Sequence, residues 1–132
     1  MRRFAQAAVA AGAAAAVLVP AAAQAAPSTV TGWLGTYGSG RAEVIGEAGL
    51  AAGVWRSYAV RPGYAGDDLA VTYTPRIWAS ASEKPVYTAA YGTVADPQAE
   101  CRRVGADGVD RQVWVWFRCR TGFLPSYTLY VR

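Results

Sequence analysis

Residues 113–120 read Val-Trp-Val-Trp-Phe-Arg-Cys-Arg, and this stretch narrows the choice of fold more than any other part of the chain. Because successive side chains of a β-strand point to opposite faces, the alternation predicts a strand. One face would carry the apolar set that belongs in a core, namely Val113, Val115, Phe117 and Cys119. The other face would carry two indoles and two guanidinium groups, namely Trp114, Trp116, Arg118 and Arg120.

On both sides of this strand, the chain consists of short runs rich in Val, Thr, Tyr and Trp, separated by Gly and Pro, as is typical of β-strands. The predicted strands are 29–34, 43–45, 54–60, 69–74, 77–80, 86–91, 99–104, 112–120 and 127–131. Asp107 and Gly108 predict a hairpin turn, and the small residues of 46–53 fit a loop or a short helix. We therefore predict an all-β fold, a small disulfide-tied barrel or sandwich of short antiparallel strands.

A faint internal similarity connects the two halves of the chain. Residues 35–39 (Gly-Thr-Tyr-Gly-Ser) resemble residues 89–93 (Ala-Ala-Tyr-Gly-Thr). The similarity is too weak to predict a duplicated unit.

The N-terminal segment has the features of a secretory signal peptide. Arg2 and Arg3 precede an apolar run over 7–19, and residues 23–25 (Ala-Gln-Ala) offer a cleavage site. The run is shorter than the roughly 20 apolar residues that cross a bilayer; an uncleaved membrane anchor is the alternative. We expect residues 1–25 to be removed and 26–132 to form a single domain. This mature chain would be secreted, without stable membrane insertion, and the excess of arginine over lysine suggests an actinobacterial origin.

The two cysteines, Cys101 and Cys119, predict a disulfide, because exported chains enter an oxidising compartment. Closing a loop of roughly 19 residues would stabilise the fold by about 3 kcal/mol in the chain-entropy model. A free redox pair is the alternative, but such pairs usually have a Cys-x-x-Cys spacing.

The C-terminal half resembles a known family. Residues 99–105, 116–119 and 122–126 are similar to the second half of bacterial Src-homology-3-like domains of the actinobacterial secreted type, over 86–131. The resemblance implies a half-open barrel of five to six strands that is noncatalytic and holds peptidoglycan or a protein partner. The Asn-Val-Arg-x-Gly-Pro signature of that family is replaced here by residues 85–89 (Pro-Val-Tyr-Thr-Ala), and 26–74 has no counterpart.

The composition argues against an enzyme. Histidine is absent, so the commonest general base near neutral pH is missing, as is any Ser-His or Cys-His pair. A zinc site would have to be built from carboxylates, which is unusual. The acidic clusters Asp67/Asp68 and Asp107/Asp110 suit turns better than paired catalysis. We predict no catalytic residues, no metal and no cofactor.

The sequence therefore predicts a noncatalytic binding protein that acts at or outside the cell wall. Indoles can stack on sugar rings, and guanidinium groups can bind carboxylates or phosphates. The candidate ligand-binding residues are Trp114, Trp116, Arg118, Arg120 and Tyr127. The alternative interpretation of this face is that the N-terminal half covers one or both tryptophans.

A cell-wall polymer or a secreted or envelope protein is the expected partner. Nucleic acid is not, because the chain without its leader carries little net charge. Two other functions stay open. One is a small secreted inhibitor or antagonistic protein that uses the loop 61–66, and the other is a structural envelope or spore-surface protein.

Overall fold

The computed structural model describes residues 12–16, 27–122 and 125–132. The predicted signal peptide lies outside the described residues except for 12–16, and Phe123 and Leu124 also lie outside them. The described part of the chain forms, in order, β1 (Val30–Tyr37), α1 (Arg41–Ala51), β2 (Ser57–Gly63), β3 (Gly66–Tyr73), β4 (Lys84–Ala90), α2 (Pro97–Asp110), β5 (Phe117–Thr121) and β6 (Ser126–Val131).

The chain is built from the same β-α-β-β unit twice. The first repeat contains a three-stranded antiparallel sheet of order β1-β3-β2, and the second a sheet of order β4-β6-β5. The first strand of each repeat carries an irregularity at the same place, around Leu34 in β1 and Val86 in β4. Each helix packs on its own sheet and also contacts the first strand of the other repeat.

A shared sequence pattern underlies the duplication. Gly46, Gly49 and Trp55 recur as Gly105, Gly108 and Trp114 at one constant offset. Each indole Nε1 donates a hydrogen bond to the carbonyl of the first glycine, at 2.8 Å in the first repeat and 2.9 Å in the second. A Cβ on the second glycine of either pair would collide with the indole ring, so both tryptophans lie directly against helix backbone.

The helix ends also follow from local chemistry. The Asp96 carboxylate accepts a hydrogen bond from the Ala99 amide at 3.0 Å, and Pro97 occupies the first helical position, as expected for a helix start. After each helix the chain turns through a residue in the left-handed region, Gly53 at φ 70° and Gln112 at φ 60°. The turn then directs Trp55 and Trp114 back under their own helices.

One core serves both repeats. The rings of Trp55 and Trp114 stack with centroids 6.3 Å apart at an interplanar angle of 29°. The Cys101–Cys119 disulfide is present, with Cα atoms 6.1 Å apart, and it joins α2 to β5. The other buried apolar residues are Leu34, Tyr37, Ala42, Ile45, Leu69, Val71, Tyr73, Val86, Tyr87, Ala89, Val104, Val113, Leu129 and Val131.

The all-β prediction is only roughly correct, and the sheets do not close into a barrel. Segment 46–53, expected as a loop or a short helix, lies largely in helix α1. Predicted strand 43–45 is wrong because it also lies in α1, and predicted strand 99–104 and the predicted hairpin at Asp107 and Gly108 are wrong because they lie in α2. The buried stripes explain the error, because their spacing is helical: Ala42, Ile45, Gly46 and Gly49 in α1, and Cys101, Val104, Gly105 and Gly108 in α2. These glycines admit aromatic rings against the helix rather than form turns.

Candidate functional site

The outer face of the second sheet, which points away from α2, carries a cluster of cationic and aromatic side chains that are exposed or partly exposed. Arg118 lies directly opposite Tyr130, and Arg120 lies opposite Thr128. Just before β5, Trp116 exchanges backbone hydrogen bonds with Arg132 at 3.1 and 2.9 Å, which extends the same ladder by one pair. Trp116, Arg118, Arg120, Tyr130 and Arg132 are called the arginine face below.

The guanidinium groups of the arginine face lie over its aromatic rings. The Cζ atoms of Arg118 and Arg132 are 5.8 and 5.9 Å from the centroid of the Trp116 ring. The Cζ atom of Arg120 is 5.1 Å from the centroid of the Tyr130 ring. Such cation–π contacts hold the long arginine side chains in place, so that a ligand meets charges that are already positioned.

The charge of this face is predominantly positive. Arg118 donates to the Glu83 carboxylate at 2.7 Å, while its Nε–H is buried without a hydrogen-bond partner among the described residues. Arg132 donates from Nε to the Ser80 carbonyl at 2.9 Å. Arg120 makes no ion pair within the described part of the chain. One glutamate therefore faces three arginines, and the face favours an anionic ligand.

Three of the five predicted ligand-binding residues, Trp116, Arg118 and Arg120, lie together on this face. Trp114 does not join them, because its side chain is 1% exposed and belongs to the core. Tyr127 lies opposite Thr121 on the inner side of β6, with Leu129 and Val131, and packs against the core.

Strict alternation fails before Phe117, where β5 begins. Val113 and Trp114 are both buried, and Val115, which was predicted to lie inside, is 37% exposed. Tyr130 and Arg132 also lie on the arginine face, although neither is among the residues predicted from the sequence. The signal for them was the alternation of Leu129 and Val131, which sends Tyr130 to the outer side of β6.

A second polar cluster joins the two repeats. Arg41, at the start of α1, forms an ion pair with Glu100 in the first turn of α2 at 3.1 Å, with side-chain exposures of 17% and 10%. The Tyr87 hydroxyl donates to Glu100 and accepts from Arg41. Burial, followed by the hydrogen bond to Glu100, raises the pKa of Tyr87, so the phenol stays protonated. The three side chains satisfy one another, which suits a link between repeats better than a catalytic group.

Beside this cluster, the Tyr37 hydroxyl donates to the Asp107 carboxylate at 2.8 Å and connects β1 to α2. Burial is the largest effect on both groups. It raises the pKa of Tyr37, and it raises the pKa of Asp107 above its ordinary value of 3.8 even though the hydrogen bond from Tyr37 acts in the opposite direction. The fold therefore favours the neutral form of Asp107.

The Asp107→Asn variant is expected to be more stable than the wild type at neutral pH. The raised pKa of Asp107 adds stability below pH 3.8, and this contribution is lost as the pH rises through the folded-state value. The amide mimics the protonated carboxyl and can still accept from Tyr37. Urea unfolding at several pH values should show that the variant's free energy of unfolding exceeds that of the wild type above about pH 4, and that this difference grows with pH and then levels off. A difference that becomes smaller as the pH rises would mean that the ionised carboxylate stabilises the fold.

Comparison with protein-family models, with curated proteins and with solved structures gives no match. Among the described residues, no helix is long and apolar enough to cross a membrane. No group of three or more side chains suited to hold a metal ion occurs in the same part of the chain. Function must therefore be inferred from surface chemistry.

Proposed function

We propose that this chain is an exported, noncatalytic binding protein that recognises an anionic polymer of the bacterial cell wall through its arginine face. The observation that carries the proposal is the placement of three guanidinium groups over two aromatic rings on one exposed sheet face. Guanidinium groups bind phosphates and carboxylates through paired hydrogen bonds, which suits the repeating anions of such a polymer.

The shape of this face supports a polymer rather than a small substrate. A sheet face is broad and open, whereas sites for small molecules are usually concave and exclude water. Trp116 is 39% exposed and adds an aromatic surface beside the charges. An extended chain could contact several arginines at once, and the summed contacts would strengthen binding.

The cellular setting of the proposal rests on three supports. The disulfide indicates a non-reducing environment. The N-terminal sequence has the pattern of an export signal. The resemblance of residues 86–131 to Src-homology-3-like domains, which hold peptidoglycan or a protein partner, is compatible with a target at the cell wall.

Replacing Arg120 with alanine is expected to lower binding to sacculi that retain their anionic polymers by about tenfold or more, since charge-assisted contacts contribute about 1.5–3 kcal/mol each. Arg102→Ala is the matched control, because it also removes one exposed arginine but does so on α2, on the opposite side of the second sheet from the arginine face. The bound fraction should be measured by co-sedimentation at increasing salt, with stripped sacculi alongside. Salt should weaken the wild-type binding because it screens exposed charges.

Equal binding of the Arg120→Ala and Arg102→Ala variants to intact sacculi would contradict the assignment of the site. Absence of any binding to either form of sacculi would contradict the function itself. That result would favour a secreted inhibitor, since Tyr64 is fully exposed at the tip of the β2–β3 hairpin, where it could enter the cleft of a target protein.

A further inference from the structure

The outer face of the first sheet contains a hollow of about 410 Å³, within the usual range for small-ligand sites. Its floor is the pair Ala59 on β2 and Ala70 on β3. Trp33, on β1, lies opposite Ala70 and forms one wall of the hollow. Arg61 and Asp68, the next outer pair along the same strands, line one end. This hollow is separate from the arginine face, which belongs to the other sheet.

The second repeat shows why the hollow exists. The row Trp33, Ala70 and Ala59 in the first sheet corresponds to a row of three in the second sheet, Pro85, Tyr130 and Arg118. At the two floor positions, the second sheet carries a phenol and a guanidinium group where the first has only methyl groups. The strand order and pairing are the same in the two sheets. The hollow in the first sheet therefore exists because its side chains at these positions are smaller.

The side chains around the hollow combine an aromatic surface with hydrogen-bonding groups. Trp33 is 49% exposed, and the Arg111 guanidinium lies 4.8 Å from the centroid of its ring, which restrains the indole. The Asp68 carboxylate accepts a hydrogen bond from Thr36 at 2.5 Å and retains further acceptor capacity. Arg61, directly opposite, offers donors only.

We propose that this hollow binds a neutral pyranose ring of a polysaccharide. The apolar C–H face of the sugar would pack against the Trp33 indole and the two alanines, while its hydroxyls would donate to Asp68 and accept from Arg61. The opposite charges of Asp68 and Arg61 offset each other at the end of the hollow where the hydroxyls would bind, which suits a neutral ligand there. An anion would meet the Asp68 carboxylate, and a wholly apolar ligand would desolvate both charged groups without replacing their hydrogen bonds.

The proposal extends the function suggested above, since it assigns a second ligand of different charge to a different repeat. It predicts that a wall polymer with neutral sugars and anionic groups could contact both sheets. It does not depend on the arginine face, because no residue is shared between the two sites.

Isothermal titration with neutral tetrasaccharides of N-acetylglucosamine, glucose and mannose tests the proposal. We expect the wild type to bind at least one of them with little salt dependence. Trp33→Ala, which removes the stacking surface, and Ala70→Tyr, which introduces the residue that the second repeat carries, should each weaken that binding at least about tenfold. Ala70→Ser leaves the hollow open, and Trp116→Ala removes an exposed indole from the other sheet, so both should bind like the wild type.

Failure of the wild type to bind any of the three sugars would overturn the proposal. So would wild-type affinity in the Trp33→Ala and Ala70→Tyr variants, after melting curves confirm that both are folded. The Arg120→Ala variant separates the two sites, because it should retain sugar binding while losing the anionic polymer. Loss of sugar binding in Arg120→Ala with retention in Trp33→Ala would place the sugar on the arginine face instead and would also contradict the proposed hollow.

Discussion

Replacing Trp114 with alanine is expected to lower the free energy of unfolding by about 3–5 kcal/mol, the range for losing a buried aromatic side chain. The indole is 1% exposed, stacks on Trp55 and donates to the Gly105 carbonyl. Its loss would leave a cavity between the repeats and remove the hydrogen bond that the indole donates to the Gly105 carbonyl of α2. Urea unfolding at neutral pH, followed by circular dichroism, measures the change.

Trp116→Ala is the matched control for this substitution. Trp116 is two residues away, is 39% exposed and lies on the outer face, so we expect a change within about 0.5 kcal/mol. Trp116→Ala should instead reduce binding to intact sacculi, because the ring positions Arg118 and Arg132. If Trp114→Ala unfolded like the wild type yet lost binding, Trp114 would be a ligand contact and its place in the core would be wrong.

Removing the disulfide by the double change Cys101→Ala and Cys119→Val is expected to destabilise the fold by about 2–5 kcal/mol. The replacements copy the first repeat, in which Ala42 and Val60 occupy the corresponding positions of α1 and β2. Ala42 is buried like Cys101, and Val60 lies opposite Leu69 as Cys119 lies opposite Leu129. Unfolding curves of this variant and of the reduced wild type should agree.

The duplication allows this disulfide to be moved. Adding Ala42→Cys and Val60→Cys to the disulfide-free variant should form a new bond of the same loop length in the first repeat. We expect it to recover about 3 kcal/mol, since the chain-entropy contribution depends on the length of the closed loop. Thiol titration would show whether the bond forms under oxidising conditions. Persistently free thiols would mean that α1 and β2 are not related as α2 and β5 are.

The two repeats share backbone and core but differ on their outer faces. The core positions keep their character, as in Trp55 and Trp114 or Leu69 and Leu129, because both repeats contribute to one packed interior. The outer positions are free of that constraint. Around the same central positions, the first sheet carries Ala59, Ala70 and Trp33, and the second carries Arg118, Tyr130 and Pro85. The two proposed sites arise from this difference.

Much of the strand structure could be predicted from the sequence. Segments 29–34, 69–74, 86–91 and 127–131 overlap β1, β3, β4 and β6, since their alternation of β-branched or aromatic residues is a local property. The disulfide could also be predicted, because a chain with two cysteines allows only one intramolecular pairing.

The helices could not be recognised in the same way. Their buried stripes consist largely of small residues, with a single branched apolar residue in each, Ile45 in α1 and Val104 in α2, so the helical period carries little hydrophobic signal. Gly46 and Gly105 look like turn residues until Trp55 and Trp114 are seen to lie against the helices. The repeated Gly-x-x-Gly-…-Trp pattern was present in the sequence and would have revealed both the helices and the duplication.

The sequence by itself therefore determined the local features of this protein: alternating strands, a cysteine pair and a cationic–aromatic segment around residues 114–120. Tertiary structure alone decided which side of that segment meets solvent. Trp114 is buried because it stacks on Trp55 from the other repeat, and Trp116 is exposed because its pairing with Arg132 places it on the outer face of the second sheet. Tyr130 and Arg132 join the arginine face through pairing with a neighbouring strand, and the sheet register that pairs them is set by the shared core.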